Sequence, residues 1–405
     1  MTNFKLLRWL LVILITLLLA YLLPQLIKMG SESSTRYDFT YYSSVVRQFS
    51  FIRMGKTDII REDAEGRTYT EEQFDSILPL FYYRQMLADG RMPEAIHGSP
   101  VSIDRIKKGT FYFRLKPRDV DRPTLALYPM YESMSGRVEL EVPDDMFRCS
   151  DCIEFIDVEA NSVNNAKSQR YQEALENAGF QFPAQWVAGI PTTRKAYDEG
   201  YFIKDAAGQV FHVKQVNGKP FVNNTGIGNK IKALHFKMEE APDRRFYGFV
   251  FDDQNKMYMV ESTTYNLRPL PFRYDYQSES IMIMANMLYW NVNISSGKGK
   301  RTIAVNSQTL EKVDEVFQSS EPDTWDHLAQ WVIPFRIEVE HLNSAYVYPK
   351  IYLSSPLSLM VTVGLALMWA LLYRKRRDDM PYATGIGWIL VTGVFGFISL
   401  FFYRQ

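Results

Sequence analysis

The chain has 405 residues, long enough for two or three domains at roughly 100–200 residues each. It carries 46 basic and 46 acidic residues and so no formal net charge, which argues against nucleic-acid binding, where a basic excess is the usual footprint. Charged residues make up 23% and aromatics 14%, a balance that excludes a largely disordered protein.

The first element is an apolar run. No charged residue occurs between Trp9 and Ile27. About 20 apolar residues in a helix match the ~30 Å hydrocarbon layer of a bilayer. A cleaved signal peptide would share the positive start made by Lys5 and Arg8. Here the apolar stretch is long and no small-x-small site follows it, so a retained anchor over 9–27 is expected.

Strand-like content follows at Tyr37–Phe51, with a turn at Asp63–Gly66. Thr70 and Gln73 have the spacing of a capping box. Phe74, Ile77, Leu78, Phe81 and Tyr82 then recur at helical spacing, with Pro79 expected to split the helix. Residues 111–142 read as strands interrupted by prolines. Residues 168–178 read as a helix stopped by Gly179. Residues 182–200, with Pro183 and Pro191, read as a linker.

From Gly200 onward the pattern becomes short strands and tight turns. The hairpin 201–213 returns 47 residues later as 248–260, aligning Asp205 with Asp252, Gly208 with Asn255 and Phe211 with Tyr258. A weaker third unit spans 282–317. A period of ~40–50 residues fits propeller blades, and a plain β-sandwich with two similar hairpins fits as well. Residues 323–331 form an aromatic, amphipathic stretch, and 335–352 a last strand pair.

Two further apolar runs close the chain, 356–373 and 382–403, joined by Arg374, Lys375, Arg376 and Arg377. Lys and Arg stay on the cytoplasmic side of a membrane. Lys5 and Arg8 therefore place residues 1–8 inside, and the basic turn 374–381 falls on the same side. Three crossings then leave the chain end outside. The fold expected is a mainly β extracytoplasmic domain, propeller-like or sandwich, with a few helices and three transmembrane helices. Its extracytoplasmic part divides into an α+β region over 28–190 and a β-rich region over 191–354. No Asp, Glu, Lys, Arg or His interrupts the apolar runs, so a pump or channel built from this chain alone is not expected.

Chemistry-bearing residues are few. Cys149 and Cys152 are the only cysteines and form a Cys-x-x-Cys pair, a spacing shared by dithiol redox sites, half zinc knuckles and local disulfides. The strand-like sequence after Cys152 is not the helix start of a thioredoxin-type site. None of the five histidines, His97, His212, His235, His327 and His341, is paired with another His or Cys at helical spacing. His212 reads as a packed strand residue. No metal, cofactor or catalytic residue is expected.

At 188–202 (AGIPTTRKAYDEGYF), 82–93 (YYRQMLADGRMP) and 244–253 (RRFYGFVFDD) the chain resembles an uncharacterised family of membrane-anchored proteins from gut anaerobes of the Bacteroides group, labelled only as a domain of unknown function. The likeness extends over most of the middle region and the C-terminal apolar hairpin. It implies an inner-membrane protein with a large periplasmic domain, partnered by ABC-type permease and ATPase subunits, and no catalytic residues. The function expected is a non-catalytic accessory, sensing or docking subunit of such a transporter. The alternatives are an envelope module binding glycan or peptide, and a redox or metal-handling protein using Cys149 and Cys152.

Overall fold

The computed structural model describes residues 2–31, 39–54, 58–137, 139–195, 197–319, 324–341, 343–373 and 382–403. The chain divides into two compact units, one of residues 38–318 and one of residues 1–37 with 319–405.

The 38–318 unit is built from antiparallel sheets. Strands Phe39–Tyr42, Phe49–Met54 and Ile59–Asp63 form the first. Four four-stranded meanders follow in chain order. The first holds Tyr128–Pro129, Asp145–Cys149, Ile153–Asp157 and Ser162–Val163. The second holds Trp186–Gly189, Tyr201–Lys204, Val210–Val216 and Lys219–Asn224. The third holds Ala233–Met238, Phe246–Asp252, Lys256–Glu261 and Leu267–Arg273. The fourth holds Ser280–Ala285, Tyr289–Ser296, Gly299–Asn306 and Lys312–Ser319, with Phe111–Leu115 added beside Ser280–Ala285.

Side chains alternate across a strand, so one strand can supply two cores. Tyr201 and Ile203 enter a core with Phe147, Phe155 and the helix residues Tyr171 and Leu175 of the first meander and its following helix. Phe202, between them, enters a second core with Phe236 and Val250 of the third meander. There Val250 faces back, while Phe249 and Phe251 face forward onto Trp290 and Ile283 of the fourth. Ala304 of the fourth then meets Tyr42, Phe49 and Phe51 of the initial sheet. The result is a row of sheets, each packed on the next.

Local expectations are met where local chemistry decides. The capping box forms, with Gln73 N donating to Thr70 Oγ1 (3.3 Å) and Thr70 N to Gln73 Oε1 (3.0 Å). Pro79 separates the helices Glu71–Ile77 and Tyr83–Ala88. The helix Asn165–Asn177 ends before Gly179. The 47-residue repeat becomes the second and third meanders. Its aspartates organise the turns. Asp205 Oδ1 accepts from Gln209 N (2.7 Å), and Asp252 Oδ1 accepts from Lys256 N (2.9 Å) and Gln254 N (2.8 Å). Asp63 does the same for Glu65 N and Arg67 N, both 3.0 Å, an equivalence the sequence period does not reveal. Asp252 and Asp63 each also accept from a tyrosine six residues on, Tyr258 and Tyr69. Phe211 lacks that hydroxyl, and Asp205 Oδ2 takes Gln181 N instead.

Several expectations are corrected. Neither a closed propeller nor a closed barrel is present among the described residues, because the shared cores link the sheets in open sequence. A two-sheet sandwich is also replaced by the longer row. The division at 190/191 falls inside the 38–318 unit, since Trp186–Gly189, read as linker, pairs with Tyr201–Lys204 as the first strand of the second meander.

In the other unit one helix is long and apolar enough to cross a membrane, Phe4–Ile27 within Thr2–Ser31, a length that anchors and signal sequences share. Three such helices are not found among the described residues. The run 356–373 gives Ser358–Tyr373, 16 residues and about 24 Å at 1.5 Å per residue. The run 382–403 is broken at Gly393, whose φ of 59° ends Tyr382–Thr392 before Val394–Phe402 begins. The expected basic turn, Arg374 to Arg377, lies outside the described residues. The aromatic stretch lies, from Thr324 on, in the helix Thr324–Val332, and the last strand pair is Phe335–Glu338 with Lys350–Leu353.

Replacing Asp252 by Ala removes the acceptor for two turn amides and a tyrosine. Asp252→Ala is expected to lower unfolding free energy by about 1–3 kcal/mol in urea titrations. Asn255→Gly, at a left-handed position (φ 59°), is expected to be neutral or slightly stabilising. The reverse order of effects would contradict this account of the turns.

Candidate functional site

The most unusual chemistry in the 38–318 unit is a charged network buried where the second and third meanders meet. Its first part is the segment 190–200, which enters strand Tyr201–Lys204 through Gly200. Gly200 has φ 67°, and a Cβ there would strike the Val213 carbonyl oxygen, so glycine alone fits. This fixed turn points Lys195 and Asp198 inward. The second part is Glu239 and Glu240, just past strand Ala233–Met238.

Lys195 Nζ donates to Asp198 Oδ1 and to Glu240 Oε1 (2.9 Å). The three side chains are 8%, 1% and 6% exposed, so one cation sits with two carboxylates out of water. Gly200 N donates to Asp198 Oδ2 (2.9 Å), and Glu199 N donates to Glu240 Oε1 (2.9 Å). Glu240 Oε2 has no hydrogen-bond partner. Tyr197 donates to the Ala241 carbonyl (2.6 Å), with the Arg244 guanidinium 3.9 Å above its ring.

Beside this network lies His212, buried and stacked on Phe202 at 4.6 Å. Its Nε2 faces the Glu199 carbonyl at 2.6 Å. A carbonyl oxygen only accepts, so Nε2 carries the proton and Nδ1 accepts from Tyr265 (2.8 Å). Glu199 is tied in turn to Lys214 Nζ (2.7 Å).

The electrostatics follow from burial. Burial pushes Glu240 up to about 7, with Lys195 pulling the other way. Burial likewise pushes Glu239 up to about 7, opposed by Lys237, and raises Asp198, opposed by Lys195. One lysine cannot neutralise two buried carboxylates, so the second negative charge is the one that takes a proton. Burial holds His212 down to about 3, hence neutral. The arrangement can store and release a proton near neutrality. A buried network of this kind is first of all a joint between two sheets.

Cys149 and Cys152 lie elsewhere, flanking the turn between the second and third strands of the first meander. Both are free thiols, Cys149 buried among Phe147 and Phe155 and Cys152 half-buried. Burial, reinforced by Cys152, pushes the Cys149 thiol up to about 12, and burial raises Cys152 too. Thiolate is the reactive and metal-binding form, so this setting opposes redox and metal work. Among the described residues no group of three or more His, Cys, Asp or Glu could hold a metal ion. Nor does the fold bring the histidines together. His97 reaches the Val45 carbonyl, His235 stacks on Tyr276, and His341 reaches the Tyr348 carbonyl.

Two open clefts lie on the third meander. One, of about 460 Å3, is lined by Tyr258, Pro269, Pro271 and Phe272 between Lys256 and Arg273. The other, of about 250 Å3, is lined by Arg245, Arg268, Glu261, Ser262, Ser307 and neighbouring residues. Arg245 donates to the Ser307 carbonyl (2.6 Å), and Arg268 pairs with Glu261 (3.3 Å).

Fold and site together define a mainly β protein of stacked antiparallel sheets with an apolar N-terminal helix. Residues 39–305 match the domain-of-unknown-function family DUF4857, and the chain belongs to that family. No enzymatic family is indicated. No curated protein sequence matches the chain. Among solved structures, PorZ, a surface component of the type-IX secretion system of Porphyromonas gingivalis, aligns with 72% of this chain and 28% of its own, at 11% identity and a TM-score of 0.22. The dihydro-heme d1 dehydrogenase NirN aligns with 57% of this chain and 64% of its own, at 11% identity and a TM-score of 0.23. The chain thus spans less than two thirds of either, and at these TM-scores neither likeness carries an argument.

The folded protein holds protons on Glu240 and Glu239 that the unfolded chain releases between about pH 4.5 and 7, so this contribution to stability is lost as pH rises through that window. His212 and His235, held neutral in the fold, act in the opposite sense below about 6.5. Glu240→Gln keeps an acceptor for Lys195 and removes one of the two titrating carboxyls. The melting temperature of the variant relative to the parent is therefore expected to climb from pH 5 to 7.5. Parallel curves would remove the buried-proton account. For the cysteines, a thiol reagent at pH 8 is expected to modify Cys152 first and Cys149 only on unfolding. Rapid, equal modification or bound zinc would restore the redox or metal reading.

Proposed function

We propose that this chain is a membrane-anchored, non-catalytic docking or sensing subunit of an ABC-type transport complex, with the 38–318 unit on the outer side of the bacterial inner membrane. The observation that carries the membrane part is inverted polarity in the helical unit. On the first helix Leu10, Leu14, Leu18, Leu22 and Leu26 form an exposed stripe at i, i+4 spacing. On Ser358–Tyr373, Leu359, Val363, Leu367 and Leu371 form another. The hydroxyls of Thr16, Ser399, Thr362 and Thr392 are turned inward and buried. Leaving a leucine in water forgoes roughly 1.5–3 kcal/mol, which makes two such stripes untenable unless lipid or another apolar subunit covers them. Small and hydroxylated residues inside, with leucine outside, is the packing of membrane bundles.

The non-catalytic part rests on chemistry. The buried charges are bridged within the network through Lys195, burial raises both cysteine thiols, and no metal-holding group forms among the described residues. What remains is a scaffold with surfaces, and the family resemblance supplies the partner class. The clefts on the third meander favour a second reading, an envelope module for glycan or peptide, in which Tyr258 and Phe272 would stack on ligand between Lys256 and Arg273.

Affinity purification of the full chain from native membranes is expected to recover an ATPase and a permease. Recovery of neither, with the chain still in the membrane fraction, would end the transporter assignment. Release of the chain by an alkaline carbonate wash would end the membrane one.

A further inference from the structure

We infer that the last apolar run, 382–403, is a re-entrant helical hairpin with its tip at Gly393, and that it returns the chain end to the side of the membrane on which the chain begins. The inference rests on the membrane reading above and goes beyond it. Three crossings would place the two ends on opposite sides.

The reversal can be followed residue by residue. In a straight helix Gly385 and Leu400 would stand about 22 Å apart, at 1.5 Å per residue. Instead a Cβ on Gly385 would lie 3.7 Å from Leu400 Cδ1. Gly396 packs beside Trp388 and Thr392 in the same way. Tyr382–Thr392 therefore rises and Val394–Phe402 descends along it.

Neighbouring helices fix the direction of each arm. Tyr382 donates to the Ala370 carbonyl (3.1 Å), near the end of Ser358–Tyr373, whereas Gly393 abuts Thr362, near its start. The descending arm runs antiparallel to the first helix. Phe395 shares a buried cluster with Ala20, and the Ser399 and Thr16 hydroxyl oxygens lie 2.8 Å apart. At the bottom the Tyr403 ring lies 5.4 Å from Trp9 and 5.8 Å from the Arg8 guanidinium. Partners of residues 9, 16 and 20 thus run 403, 399 and 395.

A helix broken inside hydrocarbon is tolerated only where its polar backbone is satisfied and covered by protein. Both conditions hold. Gly393 N donates to the Ile389 carbonyl (2.6 Å), and Phe397 N donates to the Gly393 carbonyl (3.0 Å). The tip is buried beneath Pro334 and Thr362. Trp369, 1% exposed, lies against Gly385 and the rings of Phe397 and Phe401.

Charge in the sequence agrees. Lys5 and Arg8 precede the first helix, Arg374 to Arg377 precede the hairpin and Arg404 follows it. A re-entrant hairpin gathers all of them on one side, as positive charge distributes in membrane proteins.

The test uses the full chain in a bacterial inner membrane, with alkaline phosphatase fused in turn after Asp378, after Gln405 and, as an outer control, after Ser354. Phosphatase is active only outside. The expected result is low activity at Asp378 and Gln405 alike, roughly tenfold or more under the Ser354 fusion. Low activity at Asp378 with high activity at Gln405 would overturn the hairpin and leave the membrane reading standing. High activity at all three positions, or fusions recovered as soluble protein, would overturn the membrane reading and the hairpin with it.

Discussion

The central strands of the inner sheets have no face left for water. Strand Phe246–Asp252 is buried along its whole length, because Phe249 and Phe251 belong to one core and Val250 to the other. A sheet with two apolar faces is stable only between two neighbours. That constraint sets the architecture: each meander needs the next, and only the outermost sheets can turn a face to solvent. It also explains the prominence of aromatic residues. Phe113 on Phe249 and Phe202 on Phe236 bring ring centroids to 4.7 and 4.3 Å, filling the space between sheets with few side chains.

The same constraint makes the Lys195 network intelligible. At the strand ends the apolar packing between the second and third meanders stops, and charged residues take over. Buried charge costs free energy unless it is paired and hydrogen-bonded. Asp198 and Glu240 meet that condition through Lys195 and two backbone amides, apart from the single oxygen Glu240 Oε2. A charged joint of this kind favours one alignment of two sheets over its neighbours, since a small slip would strand a charge.

How much of this the sequence discloses depends on range. The Thr70 capping box, the break at Pro79 and the paired hairpins with Asp205 and Asp252 act over two to six residues, and each is legible. The order of sheets is not, because it rests on contacts such as Tyr42 with Tyr289 that sequence spacing does not encode. Residues 182–200 look like linker because Pro183, Pro191 and Gly200 punctuate them. The pairing of Trp186–Gly189 overrides that appearance, and Lys195 finds Glu240 45 positions away. No local signal distinguishes that lysine from a solvated one. In the apolar tail, the run 382–403 reads alike whether straight or folded back. Gly385, Gly393 and Gly396 are visible as small residues suited to close approach, but only their neighbours separate the tip from the seams, and Gly387 meets nothing at all.

The family match ends at residue 305, inside the fourth meander, while the apolar helices lie outside it. The match thus covers most of the row of sheets, including the buried network around Lys195. On the docking reading proposed above, such a scaffold acts through shape, surface or position. Its interior favours position: Lys195 bridging two buried carboxylates, a buried histidine held between a carbonyl and a tyrosine, and three turns each held by an aspartate tie neighbouring segments together and stiffen the body. Stiffness is of little use to a flexible tether. It suits a body that must present one surface in a constant orientation, and docking makes that demand more directly than ligand capture or redox exchange does.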